Sequence, residues 1–186
     1  MSGGWPRIAF VGPMGIGKTT ALRSLCGDVM ASSDVPNLDR EAHSKAFTTV
    51  GSEFGEIDLG EGVRMQVCGC PGQERFDFVR EWVLSVSTGV FVMADVGSPS
   101  ALDDTRRVLA EIAALPRPPV PLVLSARPAT PAQIEAFGQS LAAAGCGVVP
   151  ILEADPRDPA SLREALGVLA SLLSLQDESC RPEPPP

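Results

Sequence analysis

Histidine occurs once in these 186 residues, basic side chains are outnumbered 15 to 23, and no apolar run reaches the length of a bilayer. Each shortage excludes something. A formal charge of −8 lacks the basic patches that nucleic acid as the main ligand would demand. The longest apolar stretch, Val83 to Val96, is broken by Ser85, Ser87, Thr88 and Gly89, so no direct membrane insertion is expected. His43 stands alone in a polar segment, with no partner that would make it catalytic. The five cysteines are an odd number scattered through a chain with enough core to need no staples, which predicts reduced thiols in the cytoplasm. Cys68 and Cys70 have no second pair at metal-ligand spacing and read as small core residues. The first apolar stretch runs directly into a glycine-rich loop, which predicts no signal peptide. Ser2 stands where myristoylation needs glycine, and Arg181 to Pro186 form no prenylation box, so membrane association is expected only through a partner.

Apolar residues make up 44% of the chain, enough for one soluble domain. Its organising stretch is Gly12-Pro13-Met14-Gly15-Ile16-Gly17-Lys18-Thr19, which fits the phosphate-binding pattern G-x-x-x-x-G-K-[ST]. The run Arg7 to Val11 before it reads as a buried strand, and Thr20 to Cys26 after it as a helix. In that setting successive backbone N–H groups converge on phosphate oxygens, aided by the positive end of the helix dipole. Lys18 then reaches the terminal phosphates, and the Thr19 hydroxyl binds Mg²⁺. These residues imply a nucleotide site.

Residues 1–6 read as a leader, and Gly27 to Phe47 as a polar, weakly patterned segment. Ser52 to Leu59 and Val63 to Cys68 flank Gly60-Glu61-Gly62 as a hairpin. A loop from Gly69 to Phe76 leads to a helix with Val79, Trp82, Val83 and Val86 on one face. Gly89 to Ala94, Val120 to Leu124 and Val148 to Leu152 read as strands, separated by helices from about Ser100 to Leu115 and from Thr130. Thr130-Pro131-Ala132-Gln133 carries the start signals of that second helix. A last helix, capped by Asp158, keeps Leu162, Ala165, Leu166, Leu169, Leu172 and Leu173 at helical spacing. Residues 176–186 read as a flexible proline-rich tail. The alternation predicts an α/β P-loop NTPase fold: a three-layer sandwich with a six-stranded, mostly parallel sheet and one antiparallel edge strand.

With Thr48-Thr49-Val50-Gly51 and Pro71-Gly72-Gln73-Glu74-Arg75-Phe76 added to the P-loop, the chain resembles a Ras-like small GTPase over about residues 7–175. Within that superfamily it is similar to bacterial members related to the gliding-motility (Mgl-type) GTPases. The resemblance implies GTP/GDP and Mg²⁺ as cofactors, with Thr19 and Thr49 on the metal. Lys18, Thr49 and Gln73 would be the catalytic residues, with Gln73 orienting water and Gly72 donating its N–H to the γ-phosphate. The nucleotide would contact Gly12, Pro13, Met14, Gly15, Ile16, Gly17, Lys18, Thr19 and Thr20. Its base would meet Ser125, Arg127, Ala154 and Asp155. A roadblock-domain regulator and a downstream effector would be the partners, in polarity, motility or pilus regulation.

Four departures bear on that picture. Gly69 stands where an aspartate usually holds a water of Mg²⁺, a loss the Mgl-type relatives share, and Asp95 is one replacement. Ser125-Ala126-Arg127-Pro128 replaces the guanine-reading Asn-Lys-x-Asp, removing the carboxylate that selects guanine and leaving Arg127 to stack on a base. Glu153-Ala154-Asp155 replaces Ser-Ala-Lys, with Ala154 keeping the N–H that meets a purine oxygen. Met14 stands where a smaller residue would leave room for the γ-phosphate and an arginine finger; the sequence shows no intrinsic finger, and Arg75, the nearest candidate, reads as a solvated loop arginine. The sequence therefore predicts a molecular switch with slow intrinsic GTP hydrolysis. A nucleotide-binding scaffold without significant hydrolysis, and more distantly a P-loop kinase or ATPase, are the alternatives.

Overall fold

A computed structural model describes residues 5–27, 31–32, 53–60, 62–72 and 77–179. Thr48, Thr49, His43, Gln73 and Arg75 lie outside the described residues.

The strands are β1 (Arg7–Val11), β2 (Ala31–Ser32), β3 (Glu53–Gly60), β4 (Val63–Gly69), β5 (Gly89–Ala94), β6 (Val120–Ser125) and β7 (Ile151–Glu153). The helices are α1 (Lys18–Cys26), α2 (Asp77–Ser85), α3 (Ala101–Ala113), α4 (Pro131–Leu141) and α5 (Pro159–Ser179), with a π-helical turn at Ala142–Cys146. One sheet runs in the order β2-β3-β4-β1-β5-β6-β7. All six expected strands are in it, and the two-residue β2 adds a seventh. Only β3 opposes the rest: it is antiparallel to both β2 and β4, whereas β1, β4, β5, β6 and β7 pair in parallel.

Parallel strands covered by helices on both faces must be apolar on both, and β5 is buried at every residue. Alternate side chains of β1 go to opposite layers. Ile8 and Phe10 join Leu22, Leu25, Leu162 and Leu169 beneath α1 and α5, and the Phe10 ring meets Phe91 at 4.9 Å. Ala9 and Val11 join Val79, Val83, Val108, Ile112 and Phe137 beneath α2, α3 and α4. Burying a side chain such as Leu162 or Phe91 contributes about 1.5–3 kcal/mol, and the three layers follow from satisfying both faces at once. Cys68 and Cys70 are small residues of the second layer. Among the described residues no group of three His, Cys, Asp or Glu is arranged to hold a metal, and no helix is long and apolar enough to cross a membrane.

The structure differs from the sequence reading at several edges. Trp82, expected on the core face of α2, is 43% exposed, and Leu84 is buried instead. Arg80 is also buried there, because its guanidinium makes two bonds of 2.8 and 2.9 Å to Glu111 of α3 and a 3.1 Å ion pair to Asp77. The last strand begins at Ile151 rather than Val148. Gly147 turns with φ 72°, and Val148 is 97% exposed. Helix α5 continues to Ser179, so Gln176 to Ser179 are helical rather than tail. The capping box of α4 forms as its sequence predicts: the Gln133 N–H donates to Thr130 Oγ1, and the Thr130 N–H donates to Gln133 Oε1 at 2.8 Å.

Candidate functional site

The order in which strands are added reverses at β1: the hairpin β3–β4 lies on one side of it and β5, β6 and β7 on the other. Ligands of open α/β sheets bind at such a point, at the carboxyl ends of the strands. Gly12 to Gly17 leave β1 there and end in α1. Gly17 caps the helix with φ 114°, and a β-carbon on it would come within 3.0 Å of Pro156, so both backbone and space require glycine. No side chain caps α1, and its first turn carries no acidic residue. Its leading N–H groups and dipole therefore face an anion without competition.

Lys18 Nζ donates to the carbonyls of Gly12 at 2.7 Å and Pro13 at 2.8 Å. An ammonium has three donors, so the loop fixes the lysine and leaves a donor for phosphate. Burial lowers the Lys18 pKa, and the nearby Glu53 carboxylate is among the groups that oppose that shift. Thr19, next in α1, is half-buried, and Thr20 is exposed. Met14 is 73% exposed, so its side chain stands outside the loop rather than within it. Gly72 packs onto the loop's outer edge, where a β-carbon would sit 2.7 Å from Met14 N. The loop following β4 thus touches the phosphate loop directly.

Arg127, expected to stack on a base, also ties the phosphate loop to the end of β6. Its Nη1 donates to the Ile16 carbonyl at 2.9 Å and to Ala126 at 2.8 Å, and its Nη2 donates to Gly15 at 3.0 Å. The guanidinium is spent holding the phosphate loop. Ser125, fully buried, donates its hydroxyl to the Arg127 carbonyl at 3.1 Å and supports that arm rather than a base. The Ala154 N–H, expected to meet a purine oxygen, donates here to the Ser125 carbonyl at 3.0 Å. Two residues on, Pro156 has no N–H to offer. Its carbonyl accepts from Ser24 Oγ at 2.8 Å, joining this loop to α1. The Asp155 carboxylate accepts from the Arg157 side chain at 2.8 and 3.0 Å and from its N–H at 2.9 Å, which depresses its pKa to about 2.

A cavity of about 380 Å³ opens between these loops, bordered by Gly17, Thr20, Arg127, Glu153, Asp155 and Arg157. A second, of about 470 Å³, lies across the phosphate loop against α3, bordered by Met14, Gly72, Asp95 and Arg107. The smaller one carries the ligand argument, because it joins the N-terminus of α1 to the carboxyl ends of β6 and β7. Asp95 borders the other cavity, where its Oδ1 accepts from the Gly97 N–H at 3.1 Å. The Mg²⁺ implied by the resemblance fits the residues present: the Thr19 hydroxyl is a hard oxygen donor beside Lys18, and a carboxylate, Glu53, acts on that same lysine. Sequence reasoning missed Glu53 and the arm of Arg127, since neither belongs to a local pattern.

Comparison with known proteins is consistent with this site. The chain is 29% identical over 96 residues to Ras-related protein Rab-15 of Rattus norvegicus, Homo sapiens and Bos taurus, covering 50% of this chain and 39% of each relative. It therefore spans about two fifths of the length of the curated relatives it matches. The profile described as Ras family matches residues 7–129, from the first residue of β1 past Arg127. That span contains the phosphate loop, the loop that packs on it and the arginine that holds it, and by this match the chain belongs to the Ras family.

Proposed function

We propose that this protein is a guanine-nucleotide-binding molecular switch that hydrolyses GTP slowly and reports its nucleotide state to a protein partner. Membership of the Ras family supports a GTP-binding switch. The observation that carries the reading is the packing of Gly72 on Pro13 and Met14. A phosphate-sensing loop must touch the phosphate loop closely enough for an added γ-phosphate to change its position, and this one does. Thr19, with Thr49, would hold Mg²⁺, which neutralises charge on the phosphates when bound. Gln73 would orient the attacking water.

Slow turnover follows from what is missing around these residues. No arginine finger is evident among the described residues, and one supplied by a partner typically adds ~10³–10⁵ to the rate. Guanine is chosen over adenine only modestly. The usual carboxylate is missing from Ser125–Pro128, the Ala154 N–H is engaged, and Pro156 has none. A site without buried groups that demand their partner discriminates weakly. The partners in this reading are a regulator, of roadblock type by the Mgl-type resemblance, and an effector in polarity, motility or pilus control in the cytoplasm.

Chromatography of nucleotide extracted from purified protein tests the reading, together with single-turnover GTP hydrolysis. Guanine nucleotide is expected in the extract, and turnover at or below that of an unassisted small GTPase. Rapid hydrolysis without a partner contradicts the slow switch. Partner binding that ignores the nucleotide, with no hydrolysis, favours the scaffold.

A further inference from the structure

Helix α2 carries a buried charge that neither the core nor the phosphate loop uses. Its apolar underside is short: Val79, Val83 and Leu84 enter the second layer. Apolar contacts have no direction, so they hold this nine-residue helix down without fixing how it is turned or how far it slides. Arg80 supplies the direction. Its side chain is 11% exposed, and its Nε and Nη2 donate to the two oxygens of Glu111 at 2.8 and 2.9 Å. Such a fork sets distance and angle together. Nη2 also meets Asp77, in the first turn of α2, at 3.1 Å. Glu111 stands on α3, whose Val108, Leu109 and Ile112 are buried in the same layer, so the acceptor belongs to an element seated on the sheet. Arg80 and Gly72 border the same cavity, together with Pro13 and Met14. Upstream of Gly72, the Cys70 N–H donates to the Phe10 carbonyl at 2.9 Å and ties the end of β4 to β1. Gly72 thus lies in a segment fastened to β1 at one end and, through Arg80, to α3 at the other.

Resting on the switch reading above, we propose that Arg80 and Glu111 are positioning residues for the γ-phosphate contact: their pair holds α2 in one place on α3 and so keeps Gly72 where its N–H meets a γ-phosphate. Neither residue touches the nucleotide. A buried ion pair contributes little net stability compared with apolar residues of the same volume, so what it adds here is geometry. Without the pair, the downstream end of the segment gains conformations, and the γ-phosphate must order Gly72 at its own cost. GDP lacks that phosphate and does not bear the cost.

The test titrates the full chain with fluorescent GDP and with a fluorescent GTP analogue that resists hydrolysis. Arg80→Met alone leaves the Glu111 carboxylate unpaired and lowers stability, so the informative protein combines Arg80→Met with Glu111→Leu. That double variant removes both charges, keeps apolar volume between the helices and is expected to melt near the native temperature. Its Kd for GDP is expected to stay within about twofold of native, while its Kd for the GTP analogue rises about 10-fold or more, the worth of one hydrogen bond to a charged group. Arg80→Lys keeps the charge without the fork and is expected to fall between the two. An unchanged Kd for the GTP analogue in the double variant overturns the inference. A loss of affinity shared equally by GDP overturns it too, because a merely structural role would weaken both. A native protein that binds neither nucleotide overturns the switch reading as well. The failures are distinct, because in the first two the native protein still binds both.

Discussion

Removing the Arg127 guanidinium releases the phosphate loop from the strand that should carry the base. Two of its three bonds cross to the loop, at Gly15 and Ile16, and the third stays local at Ala126. Hydrogen bonds to a charged group contribute about 1.5–3 kcal/mol each, and partial exposure puts this pair at the low end, near 2–3 kcal/mol together. In Arg127→Ala the loop must be ordered by the nucleotide itself. If that ordering cost falls wholly on binding, Kd rises about 30- to 150-fold, at ~1.4 kcal/mol per tenfold. Arg127→Lys keeps the charge but loses the fork that reaches two carbonyls, so it should fall between native and alanine. Equilibrium titration with a fluorescent nucleotide measures all three proteins. A Kd for Arg127→Ala within about threefold of native would show that the loop holds its shape without the arginine, against the energies used here.

Gly72→Ala sets a methyl 2.7 Å from Met14 N, so the loop after β4 must move off the phosphate loop. GDP binding should persist while discrimination between GDP and GTP is lost, and native-like discrimination would refute the contact. Burial raises the thiol of Cys70 to about 12 and that of Cys68 higher still. Iodoacetamide at pH 8 followed by mass spectrometry should leave both unmodified in the folded protein, and rapid alkylation of either would contradict their burial. The depressed Asp155 carboxylate stabilises its loop fully above the ordinary carboxylate value near 4, and that contribution is lost as pH falls toward about 2. Carboxyl NMR should therefore find Asp155 unprotonated and unchanged between pH 5 and 8, with a midpoint near 2; a midpoint near 4 would mean that Arg157 is not its partner in solution.

What the sequence determined by itself was whatever a few adjacent residues can enforce. The spacing of glycines, Lys18 and Thr19 specifies a phosphate loop, because backbone angles and one short cation are local properties. Apolar runs at β1, β5 and β6 announce strands buried on both faces, and the Thr130–Gln133 box starts its helix as read. Even there, ends moved: Val148 is outside β7, and α5 outlasts its expected stop, since fraying and pairing depend on neighbours rather than propensity. The tertiary structure decided which groups are free to do chemistry. Arg127 is bound to carbonyls more than a hundred residues away in sequence, and the Ala154 N–H is taken by the end of β6. Glu53 becomes the neighbour of Gly69 only through the register of a hairpin. Hydrogen-bond donors and acceptors are finite, and which partner takes each one is settled by chain segments meeting in space, which no spacing along the chain records.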